Sequence, residues 1–180
     1  MLFRSTGYAI GVLALSDYDV TLEVTGDVNA YGVATSIGVV AYGGDSSSVD
    51  IGGDVNVYSY FQDGYGILAT GFNYATVNVG GDVEVYGYTY AGGIYAGSFG
   101  EATIDVDGNI NVYAQNDDAY GAIAYSFADD ASVTVGDGVD VYAEDDALGV
   151  AASSLGGNAI IDVTGDSTID GNTEIGRAHV

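Results

Sequence analysis

The sequence predicts an all-β protein, a right-handed parallel β-helix (β-solenoid) with about 28 residues per coil, roughly six coils and three short strands per coil. Two landmarks that recur at one spacing predict the coil, and alternating β-branched residues between them predict the strands. The right hand is expected because crossovers between parallel strands are almost always right-handed.

The first landmark is GDVNVY at residues 53–58, which recurs in closely related forms, each ending in a tyrosine. These tyrosines follow one another at steps of 27, 28, 27 and 29 residues: Tyr31, Tyr58, Tyr86, Tyr113 and Tyr142. The second landmark is Gly-Xaa-Xaa-Ala, with steps of 27, 28, 27, 28 and 28, starting at Gly11, Gly38, Gly66, Gly93, Gly121 and Gly149. Because two separate landmarks keep one period, the repeat indicates a structural unit.

Three apolar stretches in each repeat predict the three strands. The first two alternate strictly, as in Val49-Asp50-Ile51 and Val55-Asn56-Val57, and this predicts that Asn56 and Tyr58 face outward. The third contains Gly66-Ile67-Leu68-Ala69. If Ile67 and Ala69 face inward, the outward positions are apolar, and an apolar outer face can mark an interface. These positions are Leu13, Val40, Leu68, Tyr95 and Ile123.

An antiparallel hairpin is the alternative to the coil, since the turn Gly52-Gly53-Asp54 is short enough to join two strands directly. A hairpin gives no reason for a constant alanine, whereas stacked coils place every copy in the same slot. The alanines are Ala14, Ala41, Ala69, Ala96, Ala124 and Ala152. Stacked coils also predict that the variable segments form a surface loop at one edge: 59–65, 87–92, 114–120 and 143–148.

The chain is predicted to be one β-solenoid fragment over residues 1–174, followed by a tail. The tail, IGRAHV at 175–180, breaks the repeat and matches translation of a common sequencing adapter, so we expect it to be non-native. At the other end, MLFRSTGYAIGVLAL resembles a signal peptide, but residues 11–14 are in phase with the repeat and favour a coil. No segment has the roughly 20 apolar residues of a membrane-spanning helix.

The charge balance restricts the partners. Asp and Glu number 26 against two basic residues, for a net charge of −24. We therefore expect no nucleic-acid partner, and an anionic membrane surface is a poor partner as well. Such a charge suits the extracellular space or high salt, where repulsion is screened. Hydrophobic residues make up 48%, which argues against disorder, and the absence of Cys excludes disulfides and thiolate metal sites.

Aspartates beside the turn glycines are the first candidate site: Asp27, Asp54, Asp82, Asp137 and Asp166. We expect them to support the turns by accepting hydrogen bonds from backbone N–H groups. The alternative is calcium held between coils, but the nonapeptide calcium signature is missing. The sequence therefore predicts no cofactor, no metal site and at most weak, non-specific calcium binding.

Catalysis finds no support, since the single His, His179, lies in the expected tail and no Ser occupies a G-x-S-x-G turn. Every coil resembles its neighbours, so we expect no enzyme. The outward tyrosines Tyr31, Tyr58, Tyr86, Tyr113 and Tyr142 are the candidate interaction ladder. They form either a structural spine or a platform for glycans or proteins.

The run SVDIGGDVNVYSYFQDGYGILATGF resembles the repeats of large bacterial surface proteins with β-helical passengers, such as autotransporters and filamentous adhesins. The similarity extends from about Gly7 to Gly171, although the tyrosines depart from the pattern. It implies a structural stalk, spacer or adhesive rod, extracellular or on the bacterial cell surface, without catalytic residues. The alternatives are a glycan- or protein-binding module and end-to-end self-association into a filament, because uncapped coils expose strand edges.

Overall fold

The computed structural model describes residues 2–175, which form β-strands joined by short turns and include no helix. The strands are β1 (Leu2–Ser5), β2 (Ala9–Ser16), β3 (Val20–Val24), β4 (Val28–Gly32), β5 (Ser36–Gly43), β6 (Ser46–Ile51), β7 (Val55–Ser59), β8 (Gly64–Gly71), β9 (Tyr74–Val79), β10 (Val83–Gly87), β11 (Ala91–Ser98), β12 (Glu101–Val106), β13 (Ile110–Ala114), β14 (Ala119–Ser126), β15 (Ala131–Val135), β16 (Val139–Tyr142), β17 (Asp146–Ser154), β18 (Ala159–Val163), β19 (Ser167–Asp170) and β20 (Thr173–Ile175).

Each strand pairs with the strand three places before or after it, and every pair among the described strands is parallel. Three sheets result. Sheet A contains β1 and every third strand to β19, sheet B runs likewise from β2 to β20, and sheet C from β3 to β18. The parallel β-solenoid of about six coils is confirmed, and the hairpin alternative is wrong. The predicted right-handed winding stays a prediction.

The coils stack in register, so each side chain lies beside its counterpart in the next coil. Tyr58 pairs with Tyr86 in sheet A, and Ala69 pairs with Ala96 in sheet B. Inside each strand the burial alternates as predicted, with Val83 fully buried and Glu84 exposed. In the third strand Ile67 and Ala69 are buried and Leu68 is 39% exposed, which gives the orientation that the sequence had left open.

Glycine begins the second landmark because no other residue fits its slot. A Cβ atom on Gly93 would lie 2.2 Å from the carbonyl oxygen of Gly121 in the next coil and 3.0 Å from Cγ2 of Val112. The same clash with the next coil recurs at Gly66, where the carbonyl oxygen of Gly93 is 2.3 Å away. The backbone therefore passes too close to its neighbour for any side chain. The surrounding strand is longer than the landmark and covers 64–71 in β8.

The predicted variable loop is shorter than expected. In the segment 59–65, Ser59 belongs to β7 and Gly64 and Tyr65 belong to β8, which leaves 60–63 as the exposed corner between sheets A and B. Serine side chains hydrogen-bond the backbone at the inner side of such corners. For example, the Ser36 hydroxyl donates to the Tyr58 carbonyl at 2.9 Å. Within the described residues, every buried side-chain polar atom has a hydrogen-bond partner.

The predictions for the two ends of the chain have different outcomes. The apolar run near the N-terminus lies in β2 and pairs with β5 in register, Ala14 against Ala41, so its prediction as part of a coil is confirmed. Ile175 ends β20, while the remainder of the predicted tail, 176–180, lies outside the described residues. The part of the chain that the structure describes offers no helix long and apolar enough to cross a bilayer.

Candidate interaction surface

The five predicted tyrosines form one column on the outer surface of sheet A, which we call the tyrosine column. Each lies opposite the next in the parallel register: Tyr31, Tyr58, Tyr86, Tyr113 and Tyr142. From Tyr58 onward the rings stack nearly parallel, with centroid distances of 4.3, 5.3 and 4.8 Å and interplanar angles of 8°, 7° and 8°. The coil spacing imposes this geometry, because identical outward positions repeat at about 4.8 Å.

Two oppositely charged residues occupy the ends of the tyrosine column. Arg4 is in register with Tyr31, and its guanidinium carbon lies 5.9 Å from the centre of the Tyr31 ring, within the range of a cation–π contact. Asp170 follows Tyr142 at the other end. In the middle of the column, the Tyr86 hydroxyl donates to Oε1 of Gln115 in the next coil. The Tyr86 ring is therefore held by a side-chain hydrogen bond as well as by stacking.

A polar column runs alongside the tyrosines and includes Asn29, Asn56, Glu84, Asn111, Asp140 and Thr168. Nδ2 of Asn56 donates to Oδ1 of Asn29 at 3.1 Å, and the backbone N–H of Thr168 donates to Oδ1 of Asp140 at 3.0 Å. Between the two columns lies a groove of about 520 Å³, which we call the sheet A groove. Its walls supply aromatic edges, amides and carboxylates.

The stacked rings limit what the tyrosine column can do. A ring stacked on both sides presents only its edge and hydroxyl to solvent, so the inner rings Tyr86 and Tyr113 offer no free face. Sugar binding by aromatic residues uses ring faces. At these two positions a ligand in the groove would therefore meet hydroxyls and ring edges, and the platform for glycans or proteins stays a prediction.

Burial changes the acidity of several phenols. Burial raises the pKa of Tyr86, and its neighbours Tyr58 and Tyr113 add to the rise. On sheet B, burial likewise raises the pKa of Tyr90, with Tyr120 and Tyr65 as further causes. Both shifts favour the neutral hydroxyl, which donates hydrogen bonds near neutral pH.

Three of the five turn aspartates accept hydrogen bonds from backbone N–H groups, but across coils rather than within their own turn. Oδ1 of Asp54 accepts from the backbone N–H of Asp82 at 2.9 Å, and Oδ1 of Asp82 accepts from that of Asn109 at 2.7 Å. The column then continues from Asn109 to the N–H of Gly138 at 3.0 Å. Asp137 was therefore assigned to this column wrongly, because Gly138 occupies the slot one position later.

A separate acidic cluster lies at the corner between sheets A and B. Carboxylate oxygens of Asp117, Asp118 and Asp145 lie within 4.8 Å of one another, close enough to share a cation. Oδ1 of Asp118 already accepts from the backbone N–H of Asp146 at 3.1 Å. Exposed acidic groups are common without a bound ion, so weak, non-specific calcium binding stays a prediction.

Two further groups of stacked or neighbouring aromatic rings were not predicted from the sequence. Phe72, Phe99 and Phe127 stack at the corner that follows sheet B, with centroid distances of 5.0 and 4.9 Å. Tyr90 lies 5.3 Å from Tyr65 and 5.4 Å from Tyr120, ring centre to ring centre. The phenylalanines keep the same period as the landmarks and could have been found from it. Tyr90 could not, because it lies in a corner whose length varies.

The chain matches no protein-family model, and neither the curated proteins nor the solved structures include a significant match to it. The class is therefore defined by the fold alone: the chain is a parallel β-solenoid repeat protein.

Proposed function

We propose that the chain is a structural rod, a stalk or spacer within an extracellular or cell-surface bacterial protein, and that it performs no catalysis. One observation carries the proposal: the described coils stack in register without an insertion that interrupts the ladder. Sites for chemistry in repeat proteins usually depend on such interruptions. Six coils at about 4.8 Å give a length of about 29 Å, and a longer array of the same coils would extend it linearly.

Composition and resemblance support the surface location. The net charge of −24 keeps copies of a rod soluble where salt screens repulsion. The similarity of the GDVNVY and Gly-Xaa-Xaa-Ala segments to repeats of bacterial adhesins points to the same setting. An adhesive role would use the same rod, with binding by its outer columns or by domains attached to it.

Duplication of whole coils tests the rod. Residues 55–138 contain three coils, because Val139 occupies the same position as Val55, and a second copy placed after 138 keeps the register. We expect a folded protein about 14 Å longer by small-angle X-ray scattering. A matched control duplicates 55–124, which breaks the register and should unfold or aggregate. Equal behaviour of the two duplications would contradict the proposal.

A binding module is the second candidate, favoured by the sheet A groove beside the tyrosine column. A glycan array probed with the wild type separates it from a pure spacer. The spacer predicts no reproducible binding. The binding module predicts saturable binding that disappears when Tyr58, Tyr86 and Tyr113 become Ser. The same binding should persist when the exposed Tyr42 of sheet B becomes Ser.

A further inference from the structure

The outer surface of sheet B is apolar in a strongly acidic protein. Five of its strands, β2, β5, β8, β11 and β14, contain no charged residue. We call the outward residues of β2, β5, β8, β11, β14 and β17 the sheet B face. Its central column is Leu13, Val40, Leu68, Tyr95 and Ile123, in register from coil to coil. Leu13 is 52% exposed and Leu15 65%, so this surface meets solvent in the isolated chain.

The other two sheets carry carboxylates on their outer surfaces. Glu84 and Asp140 face outward from sheet A, and Glu23, Asp50 and Asp105 face outward from sheet C. With a net charge of −24, two copies that approached through these surfaces would repel one another. The sheet B face has a single carboxylate among its outward strand residues, Asp146 at the start of β17, so two copies meet there with the fewest opposing charges. This selects a second copy of this chain as its partner.

The size of the sheet B face suits a stable dimer. Strands of eight residues are about 26 Å long, and six stacked strands span about 29 Å, which gives roughly 750 Å² per copy. Two copies would bury roughly 1,500 Å² together, within the range of specific protein interfaces.

A shallow pocket, the dent, lies near the centre of the sheet B face and could receive a side chain of a partner. Gly92 leaves a gap in the column between Tyr65 and Tyr120. The ring of Tyr90 fills part of this gap, 3.2 Å from where a Cβ atom on Gly92 would lie, and the dent remains beside it. The dent has a volume of about 270 Å³, with Leu68 and Ile123 also on its wall. Central apolar pockets are where binding energy concentrates in interfaces.

We propose that the chain forms a homodimer in which two sheet B faces pack against each other. A two-fold axis would relate the copies, so each dent receives an apolar side chain of the other copy. Corner carboxylates such as Asp63 and Asp45 would lie at the rim, where their repulsion is screened by salt. The dimer should therefore tighten as salt increases, which is unusual for a polar interface and typical of an apolar one.

Sedimentation velocity on the full chain tests the homodimer. We expect a dimer at about 100 μM protein, with a lower dissociation constant in about 1 M salt than in about 0.05 M. The variant Leu68→Asp with Ile123→Asp should weaken it at least about 100-fold. Its matched control is Asn56→Asp with Asn111→Asp, which adds the same charge to the same two coils on sheet A and should leave the dimer intact.

Circular dichroism establishes that each variant is folded. If the Asp variant unfolds, Leu68→Ser with Ile123→Ser decides, since it removes the same apolar contacts without adding charge. A wild type that stays monomeric at high salt would overturn the proposal. So would a folded sheet B variant that still dimerises, a sheet A control that dissociates, or assembly into filaments longer than dimers.

Discussion

The interior and the exterior of the coil follow different rules. Inside, each slot repeats one kind of residue from coil to coil, such as the glycines that begin the second landmark and the alanine paired from Ala41 to Ala69. Outside, a column can change from coil to coil, as from Asn56 to Glu84 to Asn111, although the tyrosine column keeps one residue type. The difference arises because an interior slot is bounded by the neighbouring coil, whereas an outward side chain meets water or only its column neighbours.

Variation outside is not random, since each sheet has its own outer chemistry. Sheet A presents stacked tyrosines beside amides and carboxylates, sheet B presents apolar residues, and sheet C alternates hydroxyls and carboxylates such as Thr103 and Asp105. The interior therefore specifies the fold, while the exterior distinguishes the three faces. The predictions below test this difference by changing positions that are tightly bounded by the neighbouring coil, with less constrained positions as controls.

The largest effect should come from a charge placed inside. Val83→Asp buries an unpaired carboxylate at a fully buried position and should cost at least about 4 kcal/mol of unfolding free energy. Glu84→Gln, one residue away and facing outward, should change it by less than about 0.5 kcal/mol. Thermal or urea unfolding of the two variants checks this, and equal losses would refute the assigned strand orientation.

The glycine slot should show the next largest effect. Gly93→Ala forces a Cβ atom to within 2.2 Å of the next coil's backbone and should cost about 3 kcal/mol. Gly26→Ala is the matched control, because its Cβ would have no neighbour within 4 Å. Urea unfolding measures both. A Gly93→Ala variant as stable as Gly26→Ala would mean that the coils are not packed this closely.

Loss of one inter-coil aspartate should have a moderate effect. Asp82 accepts from both the backbone N–H and Nδ2 of Asn109, so Asp82→Ala should cost about 1–2 kcal/mol. Asp137→Ala, one position before the same column, should cost less than about 0.5 kcal/mol. Chemical unfolding in a chelating buffer separates the hydrogen bonds from any cation effect. Equal losses would mean that the hydrogen bonds of Asp82 to the next coil add nothing to stability.

The smallest effect concerns alkaline pH. Burial raises the pKa of Tyr90 above its ordinary value of 10.0, so its neutral form stabilises the fold fully below pH 10.0. That contribution is lost as the pH rises above 10.0 toward the higher pKa of the folded state. Tyr90→Phe should therefore match the wild type at neutral pH and lose less stability in alkali. Thermal melts of both proteins from neutral pH into alkali check this. If the two melting temperatures fell equally with pH, Tyr90 would contribute nothing to the loss of stability.

Most of the fold could be predicted from the sequence because the interior repeats. The Val49-Asp50-Ile51 and Val55-Asn56-Val57 stretches appear in β6 and β7 with the predicted burial. The tyrosine column was predictable for the same reason, since one spacing places all five rings at one slot. The sequence left the orientation of the third strand open, and the structure places Ile67 and Ala69 inward.

The predictions that failed concern the corners, where the number of residues varies from coil to coil. Asp137 was misplaced because one glycine shifts along the turn, so a motif match at the wrong residue looked as good as the right one. The ring stacking at 4.3 Å between Tyr58 and Tyr86 was also beyond the sequence, because a period fixes register and not ring orientation. The apolar sheet B face was visible only as a weak hint until the register joined its columns.

In-register parallel stacking is the claim on which all of these comparisons depend, and spin-label distances test it most directly. The chain has no Cys, so labels can be placed at Asn29→Cys and Asp140→Cys, two outward positions four coils apart in one column. Electron–electron double resonance should give a narrow distribution near 19 Å, four steps of about 4.8 Å. A broad distribution, or one centred beyond about 30 Å, would contradict the stacked coil.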